Sequence, residues 1–514
     1  MDKNYARVLL FSAFVVATCG LIYELIAGAL ASYLLGDSVT QFSTIIGTYL
    51  FAMGIGSYLS KFFHRNLLSV FVRVEILVGL VGGCSAAILF VLFDHVASFR
   101  VLLYSLVSIT GILVGLEIPL LLRILKDELE FNDLVSKVLS LDYIGALIAS
   151  LLFPLVLVPY LGLVRSGFMF GIINVLIAVW SLVVLKKDNT HFRFLKTSAI
   201  LAAIFLTFGF VFSEKIVSFS EVQNYHENVI YSKNTKYQRL VITRSSLDLR
   251  LYLNGNLQFS SFDEYRYHES LVHPGLAAMI EKNPAKDSLR LLILGGGDGL
   301  AAREALKYPE IHSITLVDLD SQMTQLFSQN ELLLDLNKNS MNDSRVSIVN
   351  DDAFQWVKKY GEDALKPKFD FVVIDLPDPS NFSIGKLYSN SFYRALRKIL
   401  HRESFLVVQG TSPLIAKRSF WILNETIKST GLKTFPYHVY VPSFGEWGFV
   451  LASTQDYEPP KRFPADLKYL DTNLVTNLFE FPKDMISVET DVNKLNNQIL
   501  VRVFEQEWAN YSNQ

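Results

Sequence analysis

The chain has 514 residues, 51% of them hydrophobic, and a mean hydropathy of +0.32. That is too long for one ordinary domain and too apolar for an ordinary soluble enzyme, and a net charge of −2 gives no global electrostatic case for a nucleic-acid partner. The two cysteines, Cys19 and Cys84, sit in apolar stretches and provide neither a disulfide framework nor zinc spacing.

Residues 1 to about 213 alternate long apolar runs with short charged breaks. Seven runs, about 9–35, 42–60, 69–93, 101–122, 136–160, 167–185 and 197–213, predict an N-terminal all-α transmembrane bundle. Most reach the roughly 20 residues that a bilayer core demands; the last is the shortest. A removed signal peptide is the alternative for the first run, with Lys3, Arg7 and "VATCG". Its apolar character continues to Leu35, however, and six runs follow. Lys3 and Arg7 precede the first run, Lys61 and Arg65 follow the second, Arg123 and Lys126 the fourth, and Lys186, Lys187, Arg193 and Lys196 the sixth. The alternate loops carry little beyond Arg100 and Arg165, so positive-inside reasoning puts the N-terminus in the cytoplasm. Seven spans would then carry everything after residue 213 outside. Glu24, Arg73, Glu75, Glu117 and Asp142 lie within or near the runs. Such groups either pair inside a bundle or mark a functional path, and Glu117 and Asp142 stand out for their apolar flanks.

From about Glu214 charged residues become frequent. "YQRLVITR" and "LRLYLNGNLQFS" read as short strands, with Asn254-Gly255 as a hairpin turn. Strands and helices then alternate: "RLLIL", a helix from about Leu300, "SITLVDL", a helix from about Ser321, "RVSIVN", a helix from Ala353, "FDFVVIDL", a helix from about Ser389, and "SFLVVQG". That order predicts a parallel sheet flanked by helices, an α/β Rossmann-like fold of methyltransferase type. The expected organisation is a transmembrane domain over 1–213, a small β-hairpin domain over 214–268 and the α/β domain over 269–514.

Ligands of such sheets bind at the carboxyl ends of the strands. The first strand ends in Gly295-Gly296-Gly297-Asp298-Gly299 and the second at Asp318. The third ends near Asp351-Asp352, and the fourth in "DLPDP", with Asp375 and Asp378. A dinucleotide fold explains the turn and Asp318 but not acids at the next two strand ends. A cationic adenosyl sulfonium explains more: Asp318 suits its ribose and Asp352 its adenine amino group. An acid at position 298 repels the carboxylate of intact S-adenosylmethionine and favours the decarboxylated donor, which ends in an ammonium. Asp375 then serves as base toward an attacking amine and Asp378 as its binder. The plainer reading of each acid is a helix N-cap or a solvated loop carboxylate. His401, and the isolated His64, His191 and His273, have no ligand spacing; they read as surface or packing residues and no metal is expected.

With these motifs in hand the sequence resembles the polyamine aminopropyltransferases, the spermidine synthase family, in its form with a multi-span N-terminal domain. The resemblance covers about residues 225 to 485, through "YQRLVI", "NGNLQFSSFDEYRYHESLVHPGL", "LLILGGGDG", "LVDLD", "DDAFQWV", "VVIDLPDP", "LYSNSFY", "LVVQG" and "KYLDTNLVTNLFEFP". It implies transfer of an aminopropyl group from decarboxylated S-adenosylmethionine, a co-substrate rather than a cofactor, to putrescine by default, giving spermidine and methylthioadenosine. On the donor side it implies Gln238, Gly295, Gly297, Asp298, Asp318, Asp351 and Asp352. On the acceptor side it implies Tyr267, His268, Asp378, Gln409, Phe444 and Trp447, with Asp375 as the general base. Leu376 and Pro377 stand where the family usually has serine-like residues, and Phe444 where a tyrosine is frequent. Agmatine, cadaverine and spermidine therefore stay open as acceptors. The family also implies a homo-oligomer formed through the small β domain. The expected location is the cell membrane, with the catalytic domain in the cytoplasm because the donor is made there, against the charge count. Two other functions remain: a methyltransferase using intact S-adenosylmethionine, and a polyamine transporter or sensor whose α/β domain only binds.

Overall fold

The computed structural model describes residues 3–35, 38–93, 96, 98–126, 130–184, 192–225 and 227–512. Lys186, Lys187 and His191 lie outside the described residues. The chain divides into two compact units, Met1–Asn228 and Val229–Gln514.

The first unit is built of helices α1 (Lys3–Leu35), α2 (Ser38–Leu59), α3 (Leu67–Leu92), α4 (Phe99–Leu125), α5 (Phe131–Leu152), α6 (Gly162–Val184) and α7 (Phe192–Asn224). α2 lies along α4, α3 along α6 and α1 along α5. Among the described residues six helical stretches are long and apolar enough to cross a membrane. The predicted fifth and sixth runs merge into one of these, Asn132–Val183, because no charged break separates them beyond Arg165. Its 52 residues correspond to about 78 Å of helix, more than twice a hydrocarbon core. The stretch loosens to a wider winding over Phe153–Leu161 and leaves helical geometry at Gly162, where φ is 73°. α7 runs on through residues 214–224, so the boundary expected at 213 falls inside a helix whose last turns are simply more polar.

The second unit has two sheets. β1 (Asn228–Asn234), β2 (Arg239–Arg244), β3 (Leu249–Leu253) and β4 (Asn256–Ser260) form a four-stranded sheet in sequential order. Asn254 and Gly255 turn the β3–β4 hairpin with φ of 51° and 82°, as that dipeptide predicts. Helix α8 (Glu264–Lys282) follows directly, so the boundary expected at 268 also falls inside a helix.

The larger sheet contains β5 (Leu289–Gly295), β6 (Ile311–Asp318), β7 (Val346–Asn350), β8 (Phe369–Asp375), β9 (Leu400–Gln409), β10 (Lys433–Val441) and β11 (Gly445–Ser453). Its order is β10-β11-β9-β8-β5-β6-β7; the first five in sequence are mutually parallel, and β11 is antiparallel to both its neighbours, β9 and β10. Along β5, Leu291 and Ile293 enter one core and Leu292 and Leu294 the other. Burial on both faces is why the strand reads as a continuous apolar run rather than an alternation. The β10–β11 hairpin is absent from the sequence-based expectation. The chain leaves β5 on one side and β8 on the other, and that crevice is where such sheets hold ligands.

Candidate active site

The glycine turn is fixed by its neighbours. Gly295 has φ of 82°, and a Cβ there would lie 2.0 Å from the carbonyl oxygen of Asp375, its partner across the β5–β8 ladder. A Cβ on Gly297 would lie 2.6 Å from Asp318 Oδ2. The turn is thus wedged between the ends of β8 and β6, and a larger residue at either position displaces an acid or the backbone beside it.

Asp298 follows the turn and is 9% exposed. Its Oδ1 accepts from the Leu300 N–H at 2.9 Å, at the start of helix α9 (Leu300–Ala305). Burial, with Asp375 and Glu264 adding, pushes its carboxyl up to about 6 against the opposing charge of His268. Asp318, at the end of β6, is likewise pushed up to about 6, chiefly by burial. It accepts from the Asp320 N–H at 2.8 Å. Asp320 caps helix α10 (Ser321–Gln329) and also accepts from Thr235 Oγ1 at 2.7 Å and Gln238 Nε2 at 3.2 Å. Gln238 therefore reaches the β6 end through Asp320, a residue the sequence reading passed over.

Asp351 and Asp352 follow β7. The Asp351 N–H donates to the Asp318 carbonyl at 3.2 Å, and Asp351 Oδ1 accepts from the Asp352 N–H at 2.8 Å. Asp352 caps the helix Ala353–Tyr360 through the Gln355 N–H at 3.0 Å and pairs with Lys386 Nζ at 2.6 Å. Burial raises its carboxyl, but Lys386 and the cap amides outweigh it and the net direction is down. The plainer reading, an N-cap, is thus part of what Asp352 does. Its Oδ1 serves the cap and its Oδ2 the lysine.

The β8 side is held by side chains. The Tyr267 hydroxyl of α8 donates to Asp375 Oδ1 at 2.7 Å. Burial raises the Asp375 carboxyl, opposed by His268 and Tyr267. The Tyr267 ring meets Phe444 edge-on at 6.1 Å and Phe449 at 5.2 Å, and Phe444 lies 5.3 Å from Trp447. Trp447 Nε1 donates to Gln409 Oε1 at 3.2 Å. Gln409 Nε2 in turn donates to the Leu376 carbonyl, to the Tyr388 oxygen at 3.0 Å, and at the limit of 3.5 Å to Asp378 Oδ1. Burial pushes Asp378 up to about 7, partly offset by Gln409. Tyr388 donates to the carbonyls of Leu376 and Pro377 at 3.1 and 3.0 Å. Backbone oxygens of this segment are thereby held in place beneath the aromatic wall.

His268 is 2% exposed and its Nδ1 lies 2.8 Å from Glu264 Oε2, while Glu264 receives both arms of Arg303 at 2.8 Å. Burial alone would lower His268, but Glu264, with Asp298 and Asp375 beyond it, lifts it to about 9. Glu264 is held at about 2: burial opposes, and His268 and Arg303 prevail. An imidazolium thus faces the two central acids at neutral pH. Of the residues that matter here, sequence reading missed Glu264, Arg303, Asp320 and Tyr388. Glu264 stood four residues before His268 on a helical stretch, the spacing that brings two side chains together. Tyr388 lay inside the quoted "LYSNSFY". Asp320 stood at the N-cap position before the predicted helix at Ser321 and inside the quoted "LVDLD", whereas Arg303 had no local signal. His273 is fully buried against Glu304 at 2.9 Å and Tyr308 at 2.8 Å, a packing role, and His64 and His401 are exposed.

Comparison with known proteins gives the same direction. Residues 264–462 match the model of the spermine/spermidine synthase domain. A polyamine aminopropyltransferase of Leptospira interrogans is 51% identical over 500 residues, covering 97% of this chain and 98% of its own. Polyamine aminopropyltransferase 2 of Ralstonia nicotianae is 51% identical over 517 residues, covering 99% of both. The crystal structure of spermidine synthase from Thermotoga maritima aligns with a TM-score of 0.43 at 25% identity, over 50% of this chain and 85% of that one.

Proposed function

The chain belongs to the polyamine aminopropyltransferase (spermidine synthase) family, and from that premise we propose a membrane-bound enzyme that moves an aminopropyl group from decarboxylated S-adenosylmethionine to putrescine. The observation that carries the reading is the juxtaposition at the β5–β8 crevice. The glycine turn that carries the buried acid Asp298 abuts the Tyr267–Asp375 pair: a Cβ on Gly296 would lie 3.7 Å from Asp375 Oδ2, and Asp375 acts on the Asp298 charge, while the Tyr267–Asp375 bond is 2.7 Å long.

In this reading Asp298 takes the ammonium of the donor's aminopropyl arm, and Asp318 with Gln238 takes the ribose through the turn of Gly295 and Gly297. Asp351 and Asp352 border the adenine. Asp378, Gln409 and the wall of Phe444 and Trp447 hold the distal end of the amine, with Tyr267 and His268 beside the reacting carbon. The free amine's lone pair forms a bond to the methylene carbon on sulfur. The carbon–sulfur pair returns to sulfur, methylthioadenosine leaves, and the proton released by nitrogen passes to Asp375. A carboxyl raised by burial is a better proton acceptor than one at its ordinary value. Placement of the two substrates and of charge supplies the rest, without a metal or bound cofactor.

The helical unit is read as seven spans in the cell membrane, the long fifth stretch dividing at Gly162. The catalytic unit is placed in the cytoplasm because the donor is made there; with seven spans this puts the N-terminus outside, against the loop-charge count, and the small sheet joins copies of the chain into a homo-oligomer. The deciding experiment supplies full-length protein with decarboxylated S-adenosylmethionine and a panel of amines and follows methylthioadenosine by mass spectrometry. Release that depends on amine and is fastest with putrescine is expected. Preference for intact S-adenosylmethionine, or no release with any amine, would sink the reading.

A further inference from the structure

Outside the cleft, the helical unit holds a second acidic site. Glu75 of α3 and Glu117 of α4 are 0% and 1% exposed, and their carboxyls lie within hydrogen-bonding reach of each other. Glu75 Oε2 accepts from Asn174 Nδ2 of α6 at 2.8 Å, and Asn174 Oδ1 accepts from the Tyr23 hydroxyl of α1 at 3.0 Å. The Oε1 atoms of both glutamates are buried and have no hydrogen-bond partner among the described residues. The ion pairs described in this unit, Lys137–Asp133 and Arg165–Glu214, lie elsewhere. Cys19 and Tyr23 of α1, Tyr49 of α2 and Asp142 of α5 interact with the pair, and the buried Glu24 of α1 interacts with Tyr49. The Tyr49 hydroxyl is already committed to the Gly20 carbonyl at 2.8 Å, and Arg73 on α3 is exposed. The sequence singled out Glu117 with Asp142; the fold pairs Glu117 with Glu75 instead.

Two carboxyls in contact inside an apolar bundle cannot both stay anionic unless a cation sits with them. A shared proton satisfies that condition. So does a cation with hydrogen-bond donors that takes the two open Oε1 atoms. A metal ion suits the site poorly: it wants several oxygen ligands, and no group of three or more His, Cys, Asp or Glu among the described residues could hold one. A primary ammonium is compact and brings three N–H donors, and it is the group that polyamines carry. We propose that the Glu75–Glu117 pair is a proton-exchangeable site for a primary ammonium, through which the helical unit carries polyamine-class cations across the bilayer in exchange for protons. This goes beyond the transfer reaction and does not rest on the choice of acceptor.

The test reconstitutes the full chain in phosphatidylcholine vesicles without adenosyl donor, so that no transfer occurs. Vesicles loaded with unlabelled spermidine are diluted into labelled spermidine, with labelled putrescine and sodium as further probes. Counterflow of both amines above protein-free vesicles is expected. So is release of about one proton per amine bound in weakly buffered detergent solution, as linkage at a shared site requires. Glu75→Gln and Glu117→Gln should each cut counterflow roughly tenfold or more while aminopropyl transfer stays within about twofold, since the sites are independent. A chain that transfers but shows no counterflow overturns the proposal, as do glutamine variants that carry amines at full rate. Sodium counterflow in place of amine overturns the ammonium assignment. If the variants do not fold, counterflow by the unsubstituted chain decides. Counterflow without any transfer would count against the enzymatic reading alone.

Discussion

On one side of the cleft Asp298, Asp318 and Asp352 each accept from a backbone N–H, of Leu300, Asp320 and Gln355. On the other side Asp375 and Asp378 accept from side chains, Tyr267 and Gln409. The backbone-held acids sit at the end of β6 and in the turns that follow β5 and β7, and the geometry of the chain itself fixes them. The side-chain-held acids depend on residues arriving from α8, β9 and the β10–β11 hairpin. The first half is therefore suited to one unvarying ligand. The second can change specificity by exchanging a single side chain. That contrast can be broken or sharpened by substitution.

The largest effect is expected from Asp375→Asn. The amide keeps an oxygen for the Tyr267 hydroxyl and removes the base. Turnover should fall by roughly 10² to 10⁴, the usual worth of a positioned general base, while calorimetric affinity for the donor holds. Turnover at the normal rate would end the assignment. Asp298→Asn comes next and acts on the other half. Loss of a desolvated charge partner should weaken decarboxylated donor by about 2–5 kcal/mol and narrow its advantage over the intact form. The same variant carries a stability signature. Asp298 titrates at about 6 in the fold, above its ordinary value, so the folded state binds protons more tightly than the unfolded chain. Its burial is then cost-free below pH about 4 and increasingly unfavourable up to about 6. Asp298→Asn should raise the melting temperature at pH 8 and leave it unchanged at pH 4. Equal shifts at both would mean that charge is not the reason.

The same contrast decides what was legible in the sequence. The backbone-held half announces itself, because a glycine turn and acids at successive strand ends are local patterns: Gly295, Gly297, Asp298, Asp318 and Asp352 all converge on one edge of the sheet. Five parallel strands were readable for the same reason, each being an apolar-rich run with a turn after it, although β7, at the edge of the sheet, is only partly buried. Of the side-chain-held half, Asp375 and Asp378 were readable at the end of the fourth strand in the same way, but the side chains around them, Tyr267, His268, Gln409, Phe444 and Trp447, were reached only through resemblance. Gln409 and Trp447 lie 38 positions apart in sequence, and no spacing rule links them. The β10–β11 hairpin was missed although "TFPYHVYV" and "GEWGFVLAS" are strand-like, because attention to parallel βα units hides an antiparallel pair at the edge. In the first unit the helices were plain, whereas the Glu75–Glu117 contact joins residues of two helices and has no local signature.

A smaller effect is expected where the halves meet. His268 is positive up to about pH 9 because Glu264 holds it, and its charge helps keep Asp375 anionic. Glu264→Gln lowers His268 toward its ordinary value, so the charge is lost around neutrality and Asp375 rises further. The acid limb of the kcat/KM profile should then move to higher pH by about one unit, equivalent to about 1.4 kcal/mol. Glu264→Asp should restore part of it. An unmoved limb with normal folding would show that His268 is only a packing residue.

The smallest effect tests how finely the side-chain-held half is tuned. Trp447→Phe keeps the aromatic wall beside Phe444 but removes the N–H that donates to Gln409 Oε1 at 3.2 Å. The Gln409 amide is then free to turn, and its reach to Asp378 weakens. A neutral hydrogen bond of this kind contributes about 0.5–1.5 kcal/mol, so KM for the amine should rise roughly two- to tenfold, with kcat and donor affinity unchanged. Asp378 titrates at about 7, so its grip on a cationic amine is present above that pH and fades below it. Without the tryptophan the amide offsets burial less, and the rise in KM on acidification should begin at a higher pH. A variant with unchanged KM at every pH would place amine recognition on Tyr267 and Asp378 alone, and the side-chain relay through Gln409 would be architecture rather than specificity.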